Sequence, residues 1–150
     1  MSGLRWTVTT TEVLCLPNAA RTVLQIMTPS SHHRILGLEY GVYFDSTSVQ
    51  AQAAQVDLRR QTTIGTMTGL SLVKEDNSLA ETIQSSAAFN ATSEPTSGDL
   101  IKGIEVHPQT GYEYAWALGR ELPIRGGERI GIIVTAVDTL NARAFFRADE

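Results

Sequence analysis

Apolar residues recur at every second position along most of the chain, a spacing that predicts strands rather than helices. The clearest case is 33–45, whose apolar face carries Leu36, Leu38, Tyr40, Val42 and Phe44. The opposite face carries Tyr43 and two glycines, at positions 37 and 41. Glycines inside a strand indicate a bend, a bulge or the close approach of another backbone.

The same alternation predicts further strands at 6–16, 21–28, 55–60, 100–107, 112–118, 129–137 and 141–148, with a weaker one at 82–92. Residues 129–137 are apolar on both faces, as in a central strand that is covered twice. Turn signals rich in Gly, Pro, Ser and Asp separate these segments. The pattern predicts an all-β fold, a two-sheet β-sandwich or jelly roll of about eight antiparallel strands.

No segment shows a convincing helical period of apolar residues. A short helix is possible only at 46–54 or 75–82, and we expect residues 70–81 to form a long crossover loop. There is no internal repeat or linker. We therefore expect one domain over 1–150, with 1–20 as either an N-terminal arm or the first strand.

Composition narrows the possible partners. The 150 residues are 42% hydrophobic and 19% charged, with a net charge of −4, which is typical of a globular chain and unfavourable for binding nucleic acid. The apolar runs are too short to span a membrane, so we expect no membrane partner. The start of the chain lacks the apolar core of a signal peptide, which predicts synthesis in the cytoplasm. The single cysteine, Cys15, is interpreted as a small buried apolar residue.

The sequence predicts no catalytic residue, cofactor or metal, and hence no enzyme. The one metal arrangement that we considered is a cupin-like site of two histidines and a carboxylate, from His33, Glu105 and His107. Neighbours in a strand face opposite ways, so the adjacent His32 and His33 do not chelate one ion easily. We interpret the histidines as polar residues at strand ends. Residues 125–128 contain two glycines but open no helix, and they predict a hairpin turn.

Five aromatic residues are candidate interface positions. Tyr112, Tyr114 and Trp116 share a strand face that is either sheet core, a stacking platform for sugar or an interface anchor. Trp6 lies in a Thr-rich segment that either docks on a neighbour as an added strand or forms the first strand of its own sheet. Phe145 faces away from Phe146 and is covered by loops of the second sheet or by another subunit.

Several stretches together resemble a family of small proteins encoded among the head genes of tailed bacteriophages. The matching segments are 22–26, 34–45, 56–67, 94–99, 105–112 and 129–147, which cover most of the chain from about residue 20 onward. The resemblance implies a β-sandwich on or near the capsid, with no catalytic residue to carry over.

The resemblance implies that the protein is a capsid decoration, or cement, protein. Its partners would be the major capsid protein and further copies of itself, with which it would form a homotrimer or another symmetric oligomer. It would be synthesised in the host cytoplasm and located on the surface of the virion. A mildly acidic sandwich with exposed edges suits such a task. The alternatives that stay open are a carbohydrate- or protein-binding module of the phage head or tail and the cupin-like metal enzyme.

Overall fold

The computed structural model of the protein describes residues 3–29, 34–46 and 52–150. These residues form thirteen strands and no helix. The strands are β1 (Arg5–Thr9), β2 (Val13–Cys15), β3 (Ala20–Met27), β4 (Arg34–Asp45), β5 (Ala54–Gln61), β6 (Thr66–Leu70), β7 (Val73–Lys74), β8 (Ser86–Ser93), β9 (Ser97–Val106), β10 (Gly111–Ala115), β11 (Leu122–Arg125), β12 (Arg129–Thr135) and β13 (Leu140–Asp149). Among the described ranges, no helix is long and apolar enough to cross a membrane.

The strands form two antiparallel sheets packed face to face. Sheet 1 has the order β10-β4-β13-β1-β7, with β11 also paired to β4 and β2 also paired to β13. Sheet 2 has the order β6-β8-β3-β12-β5-β9. One continuous apolar core lies between them and draws on both, from Trp6 and Phe146 of sheet 1 to Leu24 and Ile132 of sheet 2. The predicted all-β sandwich is confirmed.

Eight strand positions account for most of the sandwich. If β1 and β2 share one position and β10 and β11 share another, then only β6, β7 and β8 fall outside the eight. In chain order, the first four positions alternate between sheet 1 and sheet 2, and so do the last four. The last strand, β13, returns to lie between β1 and β4 at the centre of sheet 1.

A bulge in β4 changes which residues of this strand reach the core. The pairing to β13 skips Leu38, because Arg147 is opposite Glu39 whereas Ala148 is opposite Gly37. An extra residue in one strand reverses the side-chain alternation. Tyr40, Val42 and Phe44 are buried as expected, but before the bulge the buried residues are Ile35 and Gly37, and Leu36 and Leu38 are only partly buried. The expectation of a single uninterrupted apolar face was therefore wrong for the first half of this strand.

The outer surface of sheet 2 is covered by a chain of polar side chains. Gln25 Nε2 donates to Gln61 Oε1 at 2.7 Å, and Gln61 Nε2 donates to Thr22 Oγ1 at 3.0 Å. Thr22 Oγ1 in turn donates to Glu94 at 2.6 Å. Gln61 also lies across Gly131 of β12, so β12 is covered on both sides, as its apolar pattern predicts. The hydrogen bonds satisfy polar groups that would otherwise be costly to bury.

Three short strands were not expected. They are β6, β7 and β11, and β7 lies within the segment 70–81 that was expected to be a loop. Residues 75–82 form no helix, because Asp76 accepts hydrogen bonds from Ser78 in a tight turn. Residues 47–51, which fall within the other possible helix, lie outside the described ranges.

The segment 125–128 is a tight turn, but it does not join a hairpin. Glu128 N donates to Arg125 O at 3.1 Å, and Gly127 has φ of 79°, a conformation that glycine adopts without strain. The strand before the turn, β11, pairs with β4 in sheet 1, whereas β12 belongs to sheet 2. The turn therefore carries the chain from one sheet to the other.

Candidate interaction surface

Three neighbouring strands of sheet 1 place six outward positions in two rows. The register of β4 with β10 and with β13 sets these rows. The first contains Gly111, Tyr43 and Arg143, and the second contains Glu113, Gly41 and Phe145. These six residues are called the aromatic face below.

Two aromatic rings lie at the centre of this face. The Tyr43 and Phe145 rings are stacked, with centroids 6.3 Å apart and planes inclined by 22°. Tyr43 is 45% exposed, whereas each of the other aromatic residues is buried or partly buried. Tyr43 lies over Gly111 and Phe145 over Gly41, where an added Cβ would overlap the ring. Both glycines are therefore needed for the rings to lie flat against the sheet.

Arg147 lies in the next row of the sheet and forms ion pairs with two carboxylates. Arg147 Nη1 lies 2.7 Å from Glu39 Oε2, and Arg147 Nε lies 2.6 Å from Glu75 Oε1. The hydrogen bonds that Arg147 donates to Glu75 and then to Glu39 raise its pKa above the ordinary value. Two carboxylates thus hold this guanidinium beside the aromatic face, and Glu39 is already paired.

Two opposite charges on the aromatic face have no ionic partner among the described residues. Arg143 is exposed and donates from Nε only to the Thr10 carbonyl oxygen, at 3.2 Å. Glu113 is exposed too, and none of the hydrogen bonds or ion pairs among the described residues involves it. Both residues line a shallow depression of about 490 Å³, together with Thr9, Glu39, Tyr43 and Phe145.

Trp6 is not available as an interface anchor. Its strand, β1, pairs with β13 and β7 of the same sheet, so this segment is a strand of its own domain and not an arm docked on a neighbour. The indole ring is fully buried 6.3 Å from Phe146, and its Nε1 donates to Glu150 at 3.1 Å.

The face of Tyr112, Tyr114 and Trp116 points into the sandwich. Their ring centroids lie 6.3, 6.3 and 5.5 Å from that of the fully buried Tyr40. The Lys102 ammonium, from the edge strand of sheet 2, lies 3.7 Å from the Tyr114 centroid. Burial raises the pKa of the Tyr40 hydroxyl. These rings close the seam between the two sheets, so the core interpretation describes them and an exposed sugar platform does not.

The proposed metal arrangement gains no support from the described residues. His33 lies outside them. Glu105 and His107 are both exposed, and His107 Nδ1 accepts a hydrogen bond from Gln109 N at 3.2 Å. In residues 3–29, 34–46 and 52–150, no three His, Cys, Asp or Glu side chains group as metal ligands would.

Cys15 is buried, as the sequence predicts. Its Sγ lies 3.8 Å from the Val13 carbonyl oxygen, and burial raises the pKa of the thiol from 9.0 to about 11.

Of the five aromatic candidates, only Phe145 lies on the outer surface that the structure singles out. Its partner Tyr43 was assigned to the outward face of its strand from alternation but was not picked out as an interface residue. The signal that would have found it is the register that puts Tyr43 diagonal to Phe145. A single sequence does not contain that register.

No protein-family model, curated protein or solved structure matches the chain. Stacked rings bury apolar area, and unpaired charges select a partner that carries the opposite charge.

Proposed function

We propose that the protein is a structural component of a tailed-phage head, a capsid decoration protein that binds the outer surface of the shell as a symmetric oligomer. In this proposal it acts by burying surface between proteins and carries out no reaction. The aromatic face is the protein contact surface of that assembly.

The observation that carries the proposal is the composition of the aromatic face. Its centre is a pair of stacked rings, and its edges carry Arg143 and Glu113. Protein interfaces share this arrangement, because aromatic residues and arginine are enriched at contact sites while polar groups surround the apolar centre. Tyr43 is also an exposed large hydrophobic residue, and burial by a partner would remove that area from water.

The order of the strands supports the same proposal. We infer that the eight main positions form a jelly roll, because β1–β13–β4–β10 and β3–β12–β5–β9 are the orders produced when one long hairpin is rolled into two sheets. Jelly rolls are common in viral capsid proteins, although they occur in lectins and cupins as well. The resemblance of segments such as 94–99 and 129–147 to phage head proteins points the same way.

The test is binding of the purified chain to empty, expanded shells of a phage that carries the gene. We expect the protein to sediment with the shells and to raise the temperature at which they break. The variant with both Tyr43→Ser and Phe145→Ser should bind at least about 30-fold more weakly, since the loss of even one hot-spot residue costs about 2 kcal/mol or more. Leu118→Ser is the matched control, because Leu118 is 95% exposed and lies outside the aromatic face. A wild-type protein with no affinity for the shells would refute the proposal.

A carbohydrate-binding module is the second candidate, and one observation favours it. A sugar ring can stack on Tyr43 or Phe145, while Glu113 and Arg143 offer hydrogen bonds from the same depression. Binding of soluble oligosaccharides that is lost in the Tyr43→Ser variant, without any binding to shells, would favour this candidate over the first.

A further inference from the structure

We propose that the aromatic face binds the aromatic face of a second copy of the chain, across a two-fold axis that lies in the plane of contact. This inference rests on the proposed role of the face as a protein interface. It names the partner, which the proposed function leaves open.

The first argument is the position of the two unpaired charges. Arg143 lies on β13 in the first row, and Glu113 lies on β10 in the second row, with β4 between them. They occupy opposite corners of the face. A two-fold axis that runs between them in the plane of contact exchanges these corners. Arg143 of one copy then meets Glu113 of the other, and the symmetric contact forms a second time.

The second argument is that a partner with a single sign of charge fits less well. An acidic surface would pair with Arg143 but would leave Glu113 facing a like charge, and a basic surface would do the reverse. Like charges brought together at an interface are costly. The chain itself carries one charge of each sign, on the same surface, at the separation that the contact requires.

The third argument is the place of the rings between the charges. Tyr43 lies in the middle of the first row and Phe145 at the β13 end of the second, so the line between them crosses the line from Arg143 to Glu113, and the axis passes beside the stacked pair. Four rings, two from each copy, would then be buried at the centre of the contact. Their burial removes water from the flanking ion pairs, which strengthens them. Gly41 and Gly111 let the Phe145 and Tyr43 rings lie flat against their own sheet, so the rings do not hold the two copies apart.

Sedimentation velocity over a range of concentrations tests the inference. We expect wild-type protein to form dimers of twice the 16.3 kDa chain mass, and to dissociate as salt is raised because the ion pairs are screened. Arg143→Glu alone, or Glu113→Arg alone, creates two like-charge contacts and should raise the dimer dissociation constant about 100-fold. The variant that carries both changes should restore the dimer, because each corner again meets its opposite.

Two exposed residues outside the face provide matched controls. Arg120→Glu and Glu105→Arg make the same changes of charge, and we expect dimers of wild-type affinity from both. Circular dichroism of every variant checks that the sandwich folds. A monomer at the highest concentration that the protein tolerates, a trimer, or a double variant that stays dissociated would each overturn the inference.

Shell binding separates this inference from the proposed function. A wild-type monomer that still binds shells would remove the two-fold contact and leave the decoration role intact. A charge-dependent dimer with no affinity for shells would support the two-fold contact and refute the decoration role.

Discussion

Two adjacent phenylalanines on β13 allow a direct test of which way this strand faces. Phe146 is fully buried, lies 6.3 Å from Trp6 and 6.4 Å from Trp116, and leaves no room for a side chain at Gly37. Phe145 lies on the outer surface and is only partly buried. The two residues are adjacent on the same strand and have the same side chain. They differ in the face of the sheet that they occupy.

We expect Phe146→Ala to lower the free energy of unfolding by about 3–5 kcal/mol, because it leaves a cavity in a close-packed core. Phe145→Ala should cost about 1–2 kcal/mol, mainly from the lost contact with the Tyr43 ring. The free energy of unfolding of a domain of this size is roughly 5–15 kcal/mol, so Phe145→Ala should still fold, and Phe146→Ala should fold where the wild-type value exceeds about 5 kcal/mol.

Urea denaturation measures the difference, with the fluorescence of the two tryptophans as one signal and circular dichroism as another. Trp6 and Trp116 both lie near Phe146, so their emission reports on this part of the core. All samples should be kept at one low concentration, so that dimer formation does not add to the measured stability. Equal losses, or a larger loss for Phe145→Ala, would refute the assignment of faces on β13 and with it the aromatic face.

Three further expectations concern a glycine, the thiol and a lysine. Gly41→Ala should lose about 1–3 kcal/mol, because the new methyl group overlaps the Phe145 ring, whereas Gly69→Ala should be neutral or slightly stabilising, because nothing lies within 4 Å of its added Cβ. Burial raises the pKa of the Cys15 thiol from 9.0 to about 11, so the folded state favours the protonated thiol and is stabilised by it below pH 9. This contribution to the free energy of unfolding, on the order of 2–3 kcal/mol, should disappear as the pH rises through 11. Lys102→Met should change stability by less than about 1 kcal/mol but increase light scattering on storage, because an inward-pointing charge protects the free edge of β9.

Each of these expectations has its own control. Equal losses at positions 41 and 69 would show that Phe145 does not cover Gly41. In a Cys15→Ala variant, the free energy of unfolding should lack the part of the pH dependence above pH 9 that the thiol causes. If the pH dependence is unchanged, groups other than Cys15 cause it. Lys102→Arg keeps the charge and should stay clear on storage; scattering as strong as that of Lys102→Met would rule out the protective role of the charge.

Periodicity predicted most of the long strands because their burial is one-sided and their apolar residues alternate. It failed where the alternation is broken or absent. The bulge at Leu38 reversed the faces of β4, and nothing in the apolar sequence around it marks the extra residue. Strands β6 and β7 lie at sheet edges and are mostly exposed, so they carry little apolar signal.

The candidate surface was harder to predict than the fold, because it depends on pairing between distant strands. Alternation showed that Tyr43 and Phe145 point away from the apolar faces of their strands. It did not show that β4 and β13 are neighbours, or that their register places the two rings in contact. Aromatic spacing drew attention instead to Tyr112, Tyr114 and Trp116, which are close in sequence and belong to the interior.

The central place of β13 in sheet 1 has a consequence for how the chain folds during its synthesis. Every strand of sheet 2 precedes β13 in the chain, so that sheet can assemble on the ribosome before residues 140–149 emerge. Until then β1 and β4 lack the neighbour that lies between them, and their apolar faces and free edges are open to other chains. Such long-range pairing slows folding and exposes the nascent chain to aggregation. The last strand thus closes the core and also ends the period in which the new chain is most in need of a chaperone.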